Sequence, residues 1–366
     1  MHLQAKDYLQ RIQQFSVPQR VRILNVCGGH ERSITHAGLR SLLPKAIELV
    51  PGPGCPVCVC PEVDIRLALA LALHEGVLLA AFGDMLRVPI NAESGEIRSL
   101  AQAKAQGAAI VPLASPQEAV ALARQHPHRQ VVFFAAGFET TMAPVAAMLA
   151  EGVPDNLAVL LSGRLTWPAV ARLLDTQASA FDALIAPGHV ATVMGAREWN
   201  FVSEQYQIAC AVAGFTPDSL LAAVYSVLRQ RLSQPPRCFV DNCYARAVSE
   251  SGNLQAQRCL DQVFEVIDSQ WRGIGVLPAS GFALRPAYQA HDARLIFATQ
   301  QRAIAQAAPQ DMPPGCACAE VLLGQRYPDQ CPLYGRRCTP HTPVGPCMVS
   351  DEGACQIWWA SGQHAA

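Results

Sequence analysis

Two groups of cysteines carry the residues best able to do chemistry in this chain. The first is Cys55-Pro-Val-Cys58, preceded by Pro51-Gly-Pro-Gly54, together with Cys27-Gly-Gly-His30 further upstream. A C-x-x-C spacing lets two thiolates turn toward one atom or toward each other. The Pro/Gly run forces a tight loop and brings backbone N–H groups close to whatever the sulfurs hold. Cys27 and His30 would add a third sulfur and an imidazole. Three chemistries fit these residue types: a structural Cys3His zinc site, a thioredoxin-like redox pair, and an open thiolate site for a soft transition metal such as iron. Packing alone explains any single buried cysteine, but not four ligand-capable residues in Gly-rich turns.

The second group lies in the tail, at Cys316, Cys318, Cys331, Cys338, Cys347 and Cys355. Zinc ribbons and fingers usually show paired short knuckles, and this tail has none. From Cys318 onward, Cys331, Cys338 and Cys355 give four widely spaced thiols. Such a set can wrap an iron–sulfur cluster, which is larger than one metal ion. Six cysteines for four ligand positions leave two over. Cys316 and Cys347 are read as that spare pair, a candidate redox disulfide. Cys60, Cys210, Cys238, Cys243 and Cys259 read as ordinary core or surface thiols.

Two further residues stand at informative places. Glu139, in Gly137-Phe-Glu-Thr-Thr141, sits where a strand turns into a helix. There it is either a carboxylate favoured by the helix dipole or a proton carrier facing a cleft. His189, in Pro187-Gly-His-Val190, is either a satisfied structural histidine or a functional one. Asp84 and Arg164 hold similar positions with weaker claims.

The elements that must position these residues follow from the hydrophobic pattern. Short, near-continuous apolar runs at 21–26, 47–50, 77–82, 131–135, 157–161, 183–186 and 208–213 alternate with helical stretches. Runs of this kind indicate parallel strands covered on both faces. Cys27, His30, Cys55, Asp84, Glu139, Arg164 and His189 all come just after such strands, where open α/β sheets bind ligands. The expected organisation is two similar parallel-sheet α/β domains, at 20–125 and 126–235, with a break near 112–130. After 235 the pattern changes, and 236–366 reads as a smaller, loop-rich region. One helix is expected over 253–270, with Leu254, Leu260, Val263, Phe264 and Ile267 on one face.

Composition bounds the function. The chain has 366 residues, 51% of them hydrophobic, with 28 Lys+Arg against 29 Asp+Glu and a net charge of −1. That excludes a disordered chain and gives no basic excess for nucleic acid. No uninterrupted apolar run reaches about 18 residues, so no membrane span is expected. The N-terminus shows no secretory signal pattern. Fourteen cysteines in a chain expected to be cytoplasmic point to metal or redox chemistry rather than a disulfide framework.

Read together, Cys27-Gly-Gly-His30, Gly52-Pro-Gly-Cys-Pro-Val-Cys58, Phe82-Gly-Asp84, Gly137-Phe-Glu-Thr-Thr141, Ala186-Pro-Gly-His-Val190, Trp271-Arg-Gly-Ile-Gly275, Cys331-Pro-Leu-Tyr-Gly335 and Met348-Val-Ser-Asp-Glu-Gly-Ala-Cys355 strongly resemble the HypD family of [NiFe]-hydrogenase maturation proteins. The resemblance implies an assembly scaffold for the Fe(CN)2CO group, working with a HypC-type small chaperone and a HypE-type cyanide donor. By motif, Cys27, Cys55 and Cys58 would be the iron-binding thiols with His30 beside them. Cys318, Cys331, Cys338 and Cys355 would hold a [4Fe-4S] cluster, in a smaller third domain that the resemblance implies is made of 236–366 together with 1–19. The chain departs from the family pattern at Glu31, where Thr is common, and at the additional Cys60. The rival function is an iron–sulfur thiol–disulfide oxidoreductase using Cys55 and Cys58.

Overall fold

The computed structural model describes residues 4–17, 19–93, 95–177, 180–307 and 310–362. Residues 1–3 and 363–366 of the expected third domain lie outside the described residues. The described residues form eleven strands: β1 (Val21–Asn25), β2 (Ile47–Pro51), β3 (Val77–Phe82), β4 (Ile110–Leu113), β5 (Gln130–Gly137), β6 (Leu157–Gly163), β7 (Ala183–Pro187), β8 (Ala209–Ala213), β9 (Val240–Asn242), β10 (Phe264–Trp271) and β11 (Gly275–Leu284). The seven apolar runs seen in the sequence are all strands. They are buried along nearly their whole length, as parallel strands covered by helices must be.

The first sheet has the order β2-β1-β7-β8-β9 and the second β4-β3-β5-β6. Every pair in both is parallel. This is the two-sheet α/β architecture expected, but its chain path differs. The first sheet takes its strands from residues 21–51 and 183–242, whereas the second takes 77–163. The boundaries 20–125 and 126–235 therefore do not coincide with the sheets, because the second sheet is inserted between the halves of the first. The expected break near 112–130 is instead β4 and the helix Pro116–Gln125, inside the second sheet. Hydrophobic runs reveal strands, but not which strand a run pairs with.

Two other expectations change. The apolar stretch 253–270 is a helix only over Leu254–Val263 and then becomes β10. Its second half, Phe-Glu-Val-Ile-Asp-Ser-Gln-Trp, is rich in aromatic and β-branched residues, and it pairs antiparallel with β11. The turn between them needs Gly273 at φ +72° and Gly275 at φ +105°, conformations that favour glycine. The N-terminal helix Ala5–Gln13 lies on the helix Pro217–Leu232 of the first sheet, and Ile12 is buried in that sheet's core. The helix Ala5–Gln13 thus belongs with the first sheet and not with the tail. The Cys-rich tail has two short helices, Cys318–Leu322 and Ala354–Ala360, among turns. Its cysteines share one hydrophobic cluster with Cys55, Cys58 and the second sheet.

Backbone contact without intervening side chains brings the first cysteine group together. Gly28 N–H donates to the Gly54 carbonyl at 3.2 Å. A Cβ placed on Gly54 would lie 1.6 Å from the Val26 carbonyl oxygen, and one on Gly28 would lie 2.3 Å from the Glu352 carbonyl oxygen. Below, the buried Arg272 ties the segment down. Its backbone N–H donates to the Val59 carbonyl at 2.9 Å, and its guanidinium meets Glu62 at 3.2 Å. Gly54→Ala is expected to cost about 3 kcal/mol or more, since backbone rather than a flexible side chain must move. Gly83→Ala meets nothing within 4 Å and should be close to neutral. Urea denaturation of the two variants checks the contrast.

Candidate functional site

Each sheet has a switch point, where the connections leave in opposite directions and open a crevice at the carboxyl ends of the strands. In the first sheet it lies between β1 and β7, and in the second between β3 and β5. Cys27 follows β1, His189 follows β7 and Glu139 follows β5. A cavity of about 90 Å³ joins the two sheets at these ends. It is lined by Cys27 and His189 from the first sheet, Thr141 and Thr166 from the second, and Glu352 from the tail. A neighbouring crevice is shared by Cys27, Cys55 and Glu352.

Cys27 is the residue before the helix Gly28–His36, and Cys55 the residue before the short helix Pro56–Val59. Cys55 and Cys58 form a disulfide with a Cα–Cα distance of 5.3 Å. The Cys58 backbone N–H also donates to Cys55 Sγ at 3.2 Å. Burial pushes the Cys27 thiol up to about 12. Glu352 adds to that rise, while the amides of His30 and Gly29 oppose it. Cys27 is therefore a neutral thiol here, and it would bind a metal only by surrendering its proton. Burial likewise lifts the Glu352 carboxyl to about 7, with Asp84 and Asp351 reinforcing it.

The structure moves two expected site residues out of the cavity. His30 is fully buried, with Nε2 at 2.9 Å from the Ala213 carbonyl and Nδ1 at 3.2 Å from Asn25 Oδ1. Burial lowers it to about 3, so it is a neutral strut between strand ends. Glu139 is also fully buried. Its two carboxylate oxygens accept the Thr166 N–H at 2.6 Å and the Thr166 hydroxyl at 2.7 Å. It positions Thr166, which does line the cavity. His189 stays at the cavity. It stacks on Phe215 with ring centroids 3.8 Å apart, and its ring nitrogens have no hydrogen bond among the described residues. Partial burial lowers its pKa. Asp84 and Arg164 do not line this cavity. Asp84 borders a different one with Arg87, and Arg164 pairs with Asp64 at 3.5 Å.

Sequence reasoning missed Glu352, Thr166 and Phe215. They reach the site through long-range packing, for which no local spacing exists. The departures from the family pattern are structural. Glu31 accepts from Arg40 at 2.7 Å and from the Trp358 indole at 2.8 Å, docking the last helix. Cys60 is buried against Ser162 and pushed up to about 12, first by burial and then by Asp64.

In the tail, the partition of the six cysteines also differs from the expected one. Cys318, not Cys316, forms a disulfide with Cys347, at a Cα–Cα distance of 6.2 Å. Cys318 lies in the first turn of its short helix, and Gly353 lets the tail backbone pack against Cys347. Cys316 instead shares a hydrogen bond with Cys331. That bond holds the Cys331 thiol well below the usual range and Cys316 well above it. Cys338 and Cys355 lie close enough to act electrostatically on this pair or on each other. The tail thiols that act on one another are thus Cys316, Cys331, Cys338 and Cys355. Backbone amides point at it: Val344 N–H donates to Cys338 Sγ at 3.4 Å, and the amides of Ala317, Leu333 and Tyr334 serve Cys331. Three buried sulfurs and the half-buried Cys316, with amide donors, suit a cluster that carries negative charge on its thiolates. Among the described residues, no group of three or more Cys, His, Asp or Glu side chains already converges at the spacing of a single metal ion.

Two parallel α/β sheets meeting at a cysteine-bearing cavity, with a second group of thiols in the tail packed against them, define a thiol-rich α/β protein. The HypD family, described as "Hydrogenase formation hypA family", matches residues 3–362. The chain is 40% identical to the hydrogenase maturation factor HypD of Escherichia coli K12, over 96% of this chain and 91% of that protein. It is 41% identical to HypD of Rhodobacter capsulatus (93% and 89%) and 40% identical to HypD of Azotobacter vinelandii (98% and 94%). The chain belongs to the HypD family of hydrogenase maturation factors. Among the described residues no helix is long and apolar enough to cross a membrane.

The Glu139 clamp has a pH signature. Burial raises its carboxyl from 4.5 to about 7. Its contribution to stability is then complete below the unfolded value and is lost as pH rises through the folded value. Relative to Glu139→Gln, the unmodified chain should lose up to about 3 kcal/mol across that interval, at about 1.4 kcal/mol per pKa unit. Parallel stability–pH curves for the two proteins, from chemical denaturation, would show that the carboxyl is not perturbed.

Proposed function

We propose that the chain is a scaffold on which an iron carrying cyanide and carbon monoxide is assembled for [NiFe]-hydrogenase. The observation that carries this reading is the convergence of Cys27 and Cys55 with His189 and Glu352 on small adjoining cavities at the two switch points, apart from the four-thiol centre. The iron is cargo, held by thiolates drawn from Cys27, Cys55 and Cys58. Thiolates are strong donors suited to iron while diatomic ligands are added. Walls from both sheets and the tail keep water from a reactive intermediate. An octahedral iron with three diatomic ligands leaves three positions for protein. A HypC-type small chaperone supplies one of these, and a HypE-type protein delivers cyanide. Glu352 and His189 stand at the cavity as groups that accept or donate protons.

The disulfide between Cys55 and Cys58 must be opened before either sulfur binds iron. That takes two electrons and two protons and leaves two thiols. A reducing compartment, the cytoplasm, suits this requirement. The helix Pro56–Val59 packs directly on the turn Pro346–Met348, so the Cys55–Cys58 and Cys318–Cys347 disulfides sit on touching elements. A [4Fe-4S] cluster held by Cys316, Cys331, Cys338 and Cys355 would supply one-electron transfer behind them. A second reading, a thiol–disulfide oxidoreductase, is favoured by the Cys55–Cys58 disulfide and the amide that donates to Cys55.

Infrared spectra separate the two. The anaerobically purified complex with the small partner should show CO and CN stretching bands, several-fold stronger per mole than the isolated chain. Cys55→Ser should lose them while keeping its sulfide. Reductase activity with no such bands would favour the second reading.

The ligand set of the cluster is tested independently. Cys316→Ala should lose acid-labile sulfide and most of its iron, whereas Cys318→Ala should retain both. The reverse result would restore Cys318 as a ligand.

A further inference from the structure

A cavity of about 610 Å³ takes no part in the chemistry above. Arg87, Arg98 and Ser99 line it from the second sheet, and Arg337, His341 and Thr342 from the tail. Three arginines thus line one space. Among the described residues none of the three is in an ion pair within 4.0 Å. The gathering is local, because the chain as a whole carries a net charge of −1.

Arg98 is the most telling of them. Its backbone is fixed on both sides, with its N–H donating to Gln102 Oε1 at 2.7 Å and its carbonyl accepting from Ile90 N–H at 2.8 Å. Its side-chain Nε is buried and has no hydrogen-bond partner. A donor removed from water and left unpaired is costly unless something else supplies the acceptor. Arg87 spends one donor on the Val349 carbonyl at 2.9 Å, and the nearby Asp84 is beyond ion-pair distance. Like charges gathered without ion-paired partners repel one another, Asp84 acting on Arg87 only from beyond ion-pair distance, and an anion reverses the sign of that interaction. Guanidinium forks match the oxygens of phosphates and carboxylates in pairs.

We propose that this cleft binds a small, multiply charged anion bearing phosphate or carboxylate groups, held by Arg87, Arg98 and Arg337. The volume lies within the roughly 300–1,000 Å³ of small-molecule pockets. The bound anion would tie Arg87 and Arg98, on the connection between β3 and β4, to the loop 337–344 of the tail. That loop covers the sulfur centre, through the Val344 amide on Cys338. The inference does not depend on what the cysteines hold.

The test is calorimetric titration of the full-length chain with inorganic pyrophosphate and with citrate, at matched ionic strength. One saturable site is expected. Its dissociation constant should rise by at least about tenfold in Arg98→Gln and in Arg337→Gln, and stay unchanged in Arg124→Gln, an exposed arginine on another helix. Tighter binding of pyrophosphate assigns the occupant to phosphates, and tighter binding of citrate to carboxylates. If Arg98→Gln fails to fold, the exposed Arg337→Gln carries the comparison. No saturable binding of either probe, or equal affinity in the variants and the unmodified chain, overturns the proposal.

Discussion

Much of the site depends on one close approach, that of the Pro51–Cys55 loop to the backbone at Val26 and Cys27. No side chain stands between the two segments, and Gly28 and Gly54 are joined directly by a hydrogen bond. Without it, Cys27 and Cys55 would sit on two neighbouring strand ends, each facing its own loop. With it they share a crevice, and the Glu352 backbone closes against Gly28 from the other side. The two prolines beside these glycines remove freedom from the unfolded loop while the glycines permit the contact.

The approach is held from beneath by buried charge. Glu62 and Arg272 are both fully buried and paired, and Asp64 is held by Arg294 at 2.7 Å and Arg164 at 3.5 Å. Burial alone would raise the Asp64 carboxyl, but the two arginines bring it below its ordinary value. Such pairs contribute little net stability, yet removing one partner leaves an uncompensated buried charge. Their value here is positional. Glu62 and Asp64 begin the helix that follows the Cys55–Cys58 segment, while Arg164 directly follows β6, Arg272 sits in the hairpin turn and Arg294 in the short helix Ala293–Ile296. Movement of the thiol loop would strand charges at the junction of three parts of the chain.

The sequence revealed what was local. Seven apolar runs became seven strands, and the residues after them did gather at the carboxyl ends, because parallel sheets impose that geometry. What needed long-range pairing was hidden. Nothing in 77–163 announces that β7 returns to lie beside β1. The division between Cys316 and Cys318 was hidden for the same reason. Two cysteines one residue apart offer the same spacing to any later thiol, and only the packing of Gly345 against Cys316 and the placement of Cys347 separate them. His30 and Glu139 sit where functional residues sit, yet their polar atoms are consumed by Ala213, Asn25 and Thr166.

The interleaved strand order also governs the sequence of events during synthesis. A ribosome releases β1 and β2 first, but the neighbour that completes their switch point is β7, made only after the whole second sheet. Domains generally fold as units while the chain emerges, N-terminal parts first. Here the second sheet can close as a unit while Cys27, Cys55 and Cys58 still lie on an unfinished edge. The thiols of the cavity are thus exposed to the reductants and oxidants of the nascent chain's surroundings until residues 183–213, and last of all the tail at 346–355, arrive to enclose them.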